Sequence, residues 1–342
     1  MSELELSVPA TMIAGLAACL LSLLGIFGNL VTILGLLRDS RLRGQATTVF
    51  VISLAVSDLL FCAINLPLTA VKYLQRAWTL GNILCKLHPF FFYGNYAASL
   101  ISMVAIAVNR WVLIAHFPLY RRIYTRTTTL TMVAGVWIFS FSWLLPPLFS
   151  LWGTLGQQAN SFSCTILKDT RGRSPKMFLF ILGFSLPCLT IISCYSAILL
   201  RVRASRRALG TSTPLHPGKG LLASQRREDL QLTKTMLTIF LVFLLTFLPA
   251  MLANVLESRL PQPYLHLVAS VLSWTSGALN PLVYSLLNRR YQQVSWGTGE
   301  VTGLPPRPSG RCCAASDLVA LPSLSPPPQA RPATPSNWQR CS

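Results

Sequence analysis

The chain has 342 residues, of which 52% are hydrophobic and only 11% charged, and its mean hydropathy is positive. Soluble domains carry about 25% charged residues, so the composition excludes an ordinary soluble fold. The net charge of +19 sits in particular loops between apolar blocks, which accounts for it without nucleic acid; no nucleic-acid partner is expected.

A helical crossing of a bilayer core needs about 20 mostly apolar residues. Residues 1–10 hold Glu3 and Glu5 but no Lys or Arg, and read as an extracellular N-terminus. Seven blocks follow, at 11–37, 48–74, 82–115, 129–152, 175–202, 231–256 and 263–287. The first runs past signal-peptide length into Gly28 and Asn29, so it reads as a span and no cleavable signal is expected. The seventh is the weakest by hydropathy, diluted by Ser273, Thr275, Ser276, Asn280 and Pro281.

Basic residues fall in the first loop (Arg38, Arg41, Arg43), the third (Arg121, Arg122, Arg126) and the fifth (Arg201, Arg203, Arg206, Arg207, Lys219, Arg226, Arg227). The positive-inside rule makes those loops cytoplasmic and puts the N-terminus outside. The fourth loop departs from this, carrying Lys168, Arg171, Arg173 and Lys176 on the outer side. The fifth, about 203–230, holds scattered Gly and Pro and reads as flexible. Residues 297–342 contain nine prolines and many Ser, Gly and Ala without apolar periodicity. From 294 onward the chain therefore reads as a disordered cytoplasmic tail, with at most two turns of membrane-lying helix before it. Cys312 and Cys313 are the acylation candidates there. There is no Asn-x-Ser/Thr sequon, so N-glycosylation is not expected.

The expected architecture is thus an all-α, seven-transmembrane helix bundle over 11–293, multi-pass in the plasma membrane, with the lipid bilayer as its solvent and no catalytic set. Cys19, Cys62, Cys188 and Cys194 lie inside spans and read as packing. Cys85 and Cys164 both lie on the oxidising side, and a disulfide between them is expected to tether the fourth loop over the mouth of the bundle.

Ionisable groups inside a membrane are costly, at least ~2.5 kcal/mol at a helix centre, and so point to function. Asp58 is the one acid well inside a span, with Asn29, Asn95, Ser99, Ser276 and Asn280 placed to face it. One carboxylate among neutral oxygens suits a small hard cation; interhelical hydrogen bonding is the equal alternative. Arg110 ends the third span between Asn109 and Trp111, either as a snorkelling arginine or as half of a lock with Asp229 on the sixth. Pro187, Pro249 and Pro281 lie inside the last three spans and are expected to kink them.

These residues fall into a known order. Gly28-Asn29, Leu54 to Asp58, Asn109-Arg110-Trp111, Trp137, Pro187 with Tyr195, Phe243 with Phe247-Leu248-Pro249, and Asn280-Pro281-Leu282-Val283-Tyr284 each sit on their own span. The pattern resembles the rhodopsin-like G-protein-coupled receptors. The stretch from Val112 to His116, and the loop from Trp152-Gly153 through Ser163-Cys164-Thr165-Ile166 to Ser174-Pro175-Lys176, resemble most the branch holding moody, trapped-in-endoderm, melatonin-like and medium-chain fatty-acid receptors.

The resemblance implies coupling to a heterotrimeric G protein, with arrestin a further partner. It makes Arg110 the arginine released on activation, Tyr195 and Tyr284 its supports, and Asp58, Asn95, Ser99 and Asn280 the lining of a sodium pocket. It also matches Cys85 and Cys164 to the family's loop disulfide. Asn109 stands where the family has an acid, so the resting lock leans on Asp229 or basal activity is raised. Phe247 replaces the usual tryptophan of the sixth span. Phe92 lies where amine receptors place an aspartate, which argues against a biogenic amine. Trp274 lies near the retinal-attachment position, where no lysine is present, which excludes a photoreceptor.

Phe90, Phe91, Phe92, Tyr93 and Tyr96 form an aromatic wall beneath the basic fourth loop. An aromatic slot under cations suits an anionic amphiphile such as a fatty acid. Phe92, Tyr93, Tyr96, Lys168 and Arg171 are the expected ligand contacts, Lys168 standing at the spacing of the fatty-acid receptor's arginine. The competing reading is packed rings and solvated charges. Other readings are a receptor of the moody type acting without a ligand in cell adhesion or migration, and a channel or transporter. The lack of internal repeats and of a charged relay speaks against the last.

Overall fold

The computed structural model describes residues 6–40, 42–158, 163–209, 219–256 and 262–287, with side chains for all of these except 205–209, 219–229 and 256. The tail expected from 294 lies outside the described residues. Helix α1 (Val8–Arg38) opens with Ser7 accepting from the Ala10 N–H and with Pro9 in its first turn, a placement where the missing N–H costs nothing. The second span is α2 (Ala46–Leu60) and α3 (Leu66–Gln75), and the third is α4 (Gly81–Ala115). A short α5 (Phe117–Ile123) leads to α6 (Arg126–Ser142), capped by Thr125. After α7 (Leu145–Leu148) come strands β1 (Thr154–Gln157) and β2 (Cys164–Leu167). The fifth span is α8 (Lys176–Phe180) and α9 (Leu186–Leu209), the sixth α10 (Lys219–Leu256), the seventh α11 (Pro263–Leu287).

Five spans, the first, second, third, fifth and sixth, are long and apolar enough to cross a membrane by length and composition. The fourth is shorter than its sequence implied: the block 129–152 yields a helix ending at Ser142. Pro146 and Pro147 supply the reason, since neither offers an N–H and each pushes its predecessor away from helical geometry. Seventeen residues rise about 26 Å, close to the thickness to be crossed.

The prolines of the second and fifth spans are absorbed in a way that composition does not reveal. Phe61–Asn65 and Ile181–Ser185 each form a π-helical turn just ahead of Pro67 and Pro187. The wider turn draws the Leu66 and Leu186 N–H groups to Phe61 O and Ile181 O. That spares each proline ring a clash with the carbonyl four residues back.

Helix α1 shows how the bundle closes. Its buried stripe is Ala14, Ala18, Ser22, Gly25, Asn29 and Thr32, all small or polar, whereas Leu16, Leu20, Leu23 and Phe27 face outward. Large apolar residues towards lipid and small ones towards protein is the membrane arrangement. The approach is close enough that a Cβ on Gly25 would meet Cys62 Sγ at 2.2 Å and one on Gly28 would meet Pro281 at 2.9 Å. Between α2 and α4, Ser53 meets Ser102 at 3.2 Å and Ser57 meets Ser99 at 2.8 Å, while the Trp137 indole on α6 donates to Ser53 Oγ at 3.1 Å.

The fourth loop, expected only as a tethered loop, is an antiparallel hairpin pairing Thr154 with Leu167 and Gln157 with Cys164. Leu155 and Ile166 point down onto Leu144, Phe90 and Tyr93. The Cys85–Cys164 disulfide joins β2 to α4, with Cα atoms 5.3 Å apart, and so fixes the hairpin across the outer end of the third span.

Candidate functional site

Three layers of polar and aromatic residues run through the bundle. At mid-depth, Asp58 accepts from Ser99 Oγ at 2.7 Å through Oδ1 and from Asn280 Nδ2 at 2.6 Å through Oδ2. Helices α2, α4 and α11 thus meet at one carboxylate. Asn95, one turn above Ser99 and 1% exposed, leaves both side-chain amide atoms without a hydrogen-bond partner. The other two expected neighbours turn elsewhere: Asn29 donates to Gly25 O and Gly277 O, and Ser276 to Ser273 O. An orphaned amide oxygen near a carboxylate and a serine oxygen fits a small hard cation, which oxygen ligands suit.

At the cytoplasmic end Arg110 is 2% exposed, an uncommon burial for an arginine. Tyr195 lies within electrostatic reach of it, and Tyr284 is buried on α11. Asn109 is tied to the second span, its Oδ1 accepting from Thr47 Oγ1 at 2.5 Å. Trp111 is half-buried against the core and meets His116, ring centroids 5.4 Å apart. Asp229 belongs to α10, but its side chain lies outside the described residues.

Above the carboxylate, Phe247 packs on Tyr96 at 4.2 Å, on Phe243 at 5.2 Å and on Phe184 at 5.7 Å between ring centroids. Tyr96 donates to Ser273 O at 2.7 Å, so one ring stack links α4, α10, α11 and the fifth span. Pro249 lies two residues beyond Phe247 inside α10, and Pro281 inside α11.

An apolar cavity opens beside this stack, with about 730 Å³ of empty space counting its mouth. Tyr93 and Tyr96 of the third span's aromatic wall line it, together with Phe247 of the sixth. Phe92 does not; it packs among Phe61, His88, Tyr93 and Tyr96. Lys168 and Arg171 do not line it either and are exposed on the loop. The loop turns there because Asp169 accepts from the Arg171 and Arg173 N–H groups, each at 2.9 Å, and pairs with the Arg173 guanidinium at 2.9 Å. The charged residue on the cavity wall is Lys176, at the start of α8. Sequence reading passed it over as one more loop charge; its place two residues past Ser174, heading a span, was the available signal.

The family model described as 7 transmembrane receptor (rhodopsin family) matches residues 28–284. The chain belongs to that family. The receptor is 45% identical over 299 residues to Protein trapped in endoderm-1 of Drosophila melanogaster, covering 83% of this chain and 76% of that one. It is 33% identical over 336 residues to the G-protein coupled receptor moody of Drosophila melanogaster, covering 82% of this chain but only 50% of moody. Melatonin receptor type 1B-B of Danio rerio is 29% identical over 295 residues, covering 83% and 81%. Squid rhodopsin shares the fold, with a TM-score of 0.76 at 23% identity over 86% of each chain. The receptor is therefore a multi-pass plasma-membrane protein of the seven-helix kind, signalling through G proteins as its family does.

Proposed function

We propose that the receptor answers to an anionic amphiphile, a fatty acid or similar lipid, seated in the cavity with its head at Lys176. The observation that carries this is the make-up of the wall, where Lys176 is the one charged side chain among apolar and aromatic neighbours. A chain gains about 0.8 kcal/mol per buried CH₂, and a carboxylate gains a charge-assisted bond from the ammonium. The tail then lies against Phe247, so occupancy bears on the ring stack that joins four spans. Arg110 is the group that meets the G protein once uncovered, with Tyr195 and Tyr284 as its supports. Asp58, Asn95 and Ser99 would hold a sodium ion, which supplies positive charge to the carboxylate, while Asn280 ties the seventh span to it. Arrestin is a further cytoplasmic partner.

The test is guanine-nucleotide exchange on added G protein, first without ligand and then with dodecanoate and lysophosphatidate. The expected result is a response lost in Lys176→Gln and kept in Lys168→Gln, with Arg110→Ala silent throughout. A response intact in Lys176→Gln would remove the head-group assignment. A second reading is ligand-independent signalling in cell adhesion or migration. Asn109 favours it, because no acid precedes Arg110 to restrain it. High basal exchange abolished by Arg110→Ala, with no amphiphile response, is the result that reading requires.

A further inference from the structure

The outer end of the second and third spans holds a polar cluster that neither the cavity nor the mid-depth carboxylate uses. Asn65, Thr69 and Lys72 recur at helical spacing on one face of the second span. Across from them on α4 stands His88, whose Nε2 meets Thr69 Oγ1 at 3.1 Å. Lys72 is 8% exposed, and among the described residues its ammonium reaches Ser163 Oγ, at 3.3 Å, and the face of the Tyr73 ring, at 4.9 Å. No carboxylate among the described residues lies within 4.0 Å of it. The salt bridge found among them is Arg173 with Asp169, on the loop.

A hydroxyl at 3.3 Å is beyond the usual range for a good hydrogen bond, and a ring face returns part of a cation's lost hydration. Buried charges are otherwise paired. Two turns back along the same face, Asn65 is 0% exposed with both side-chain amide atoms unpartnered among the described residues, and His88 Nδ1 on α4 is likewise unpartnered. Trp78 and Phe92 flank the imidazole at 5.5 and 5.8 Å between centroids. One cation with the serine hydroxyl it reaches, and two groups with unpartnered polar atoms, thus lie along one face of the second span and the α4 face opposite, and together they are the donor set an oxyanion takes.

We propose that Lys72, Asn65, His88 and Ser163 form a second anion-binding site, distinct from the cavity at Lys176, for a phosphate or carboxylate head. The head belongs either to a free small molecule or to a lipid. Binding there ties the second span to the hairpin that the Cys85–Cys164 disulfide anchors.

The experiment uses the full-length receptor in phosphatidylcholine nanodiscs and two probes that share one phosphomonoester, glycerol 3-phosphate and oleoyl lysophosphatidate. At a hundredfold excess over Kd the melting temperature should rise by about 5–10 °C with at least one probe. A rise with both marks a free anion as sufficient; a rise with the lipid alone marks a headgroup site. Lys168→Gln should keep the rise; in the Lys176→Gln background, which removes the cavity's head contact, Lys72→Arg should keep most of what remains, and Lys72→Met and Lys72→Gln should lose it. In the wild type, the same probe should slow reductive methylation of Lys72 while leaving Lys168 unchanged, a readout that holds even where the neutral variants fail to fold. No rise with either probe, an undiminished rise in a folded neutral variant, or unprotected Lys72 would overturn the site. A rise seen only in the Glu3→Gln/Glu5→Gln variant would also overturn it, by making the chain's own N-terminus the anion.

Discussion

Replacing Thr47 by valine isolates the contact that stands in for the family's missing acid. Thr47 Oγ1 donates to Asn109 Oδ1 at 2.5 Å, with both residues buried, and the adjacent Arg110 is 2% exposed. On the proposed role of Arg110, an arginine so covered cannot meet the G protein, which makes this the resting arrangement and the bond one of the contacts that hold it. Valine keeps the shape of threonine but removes the donor and leaves Asn109 Oδ1 buried and unpaired. That costs about 1–3 kcal/mol. If the signalling arrangement lacks the bond, the resting state alone loses that energy and the equilibrium moves roughly 5–150-fold towards signalling. The assay is ligand-free nucleotide exchange at matched surface expression, with Thr47→Ser as the variant that keeps the bond and stays near wild type. Basal exchange that is unchanged or lower in a well-expressed Thr47→Val receptor would refute the reasoning.

Asp58→Asn is expected to abolish any sodium-dependent rise in melting temperature; its amide oxygen can still accept from Ser99, while Asn280 must flip its amide to accept from the new NH2. A sodium effect that survives it would place the ion elsewhere. Gly94→Ala would set a Cβ 2.4 Å from the Phe141 ring and should destabilise the receptor by about 1–3 kcal/mol, read as a loss of thermal stability. Cys164→Ser should cost roughly 2–5 kcal/mol and lower surface expression, because the hairpin loses its anchor to α4. Asp169 gives a pH prediction. Desolvation raises its carboxyl, but the hydrogen bonds from Arg173 and Arg171 and the Arg173 charge outweigh it and hold the group below the ordinary carboxylate range. A lowered value means the contribution is full above about pH 4 and is lost as pH falls through the folded value. Exchange protection of the Arg171 and Arg173 amides, corrected for intrinsic rates, should therefore fall on acidification, and Asp169→Asn should show the loss at neutral pH.

The spans, the disulfide and the Asp58–Asn280 contact were legible because each rests on a strong local signal: block length, two cysteines on the oxidising side, and one acid in an apolar helix. The fourth helix was overestimated because Leu144, Leu145 and Leu148 keep hydropathy high through a proline pair that breaks hydrogen bonding. The hairpin was missed since strands of four residues such as Thr154–Gln157 carry too little alternation to register. The π turns were hidden for a related reason, as Pro67 and Pro187 announce a disturbance without saying how the backbone absorbs it. Lys168, Arg171 and Lys176 looked interchangeable in sequence. What separates them is the turn closed by Asp169, which leaves the first two exposed on the loop while the third begins a helix on the cavity wall. Lys72 was passed over because a lysine near a helix end reads as snorkelling until its burial is seen.

The serine contacts between α2 and α4 have a directional consequence. Each hydroxyl owns a single proton. While Asp58 is charged, Ser99 must spend its proton on the carboxylate, so at Ser57 it can act only as acceptor. Ser57 then donates either to Ser99 or to its own helix at Leu54 O. Neutralise the carboxylate, by a cation or a proton, and Ser99 is free to donate to Ser57 instead. The two serines therefore form a short wire whose polarity follows the charge at Asp58, and the seam between the second and third spans can register that charge without any residue changing place.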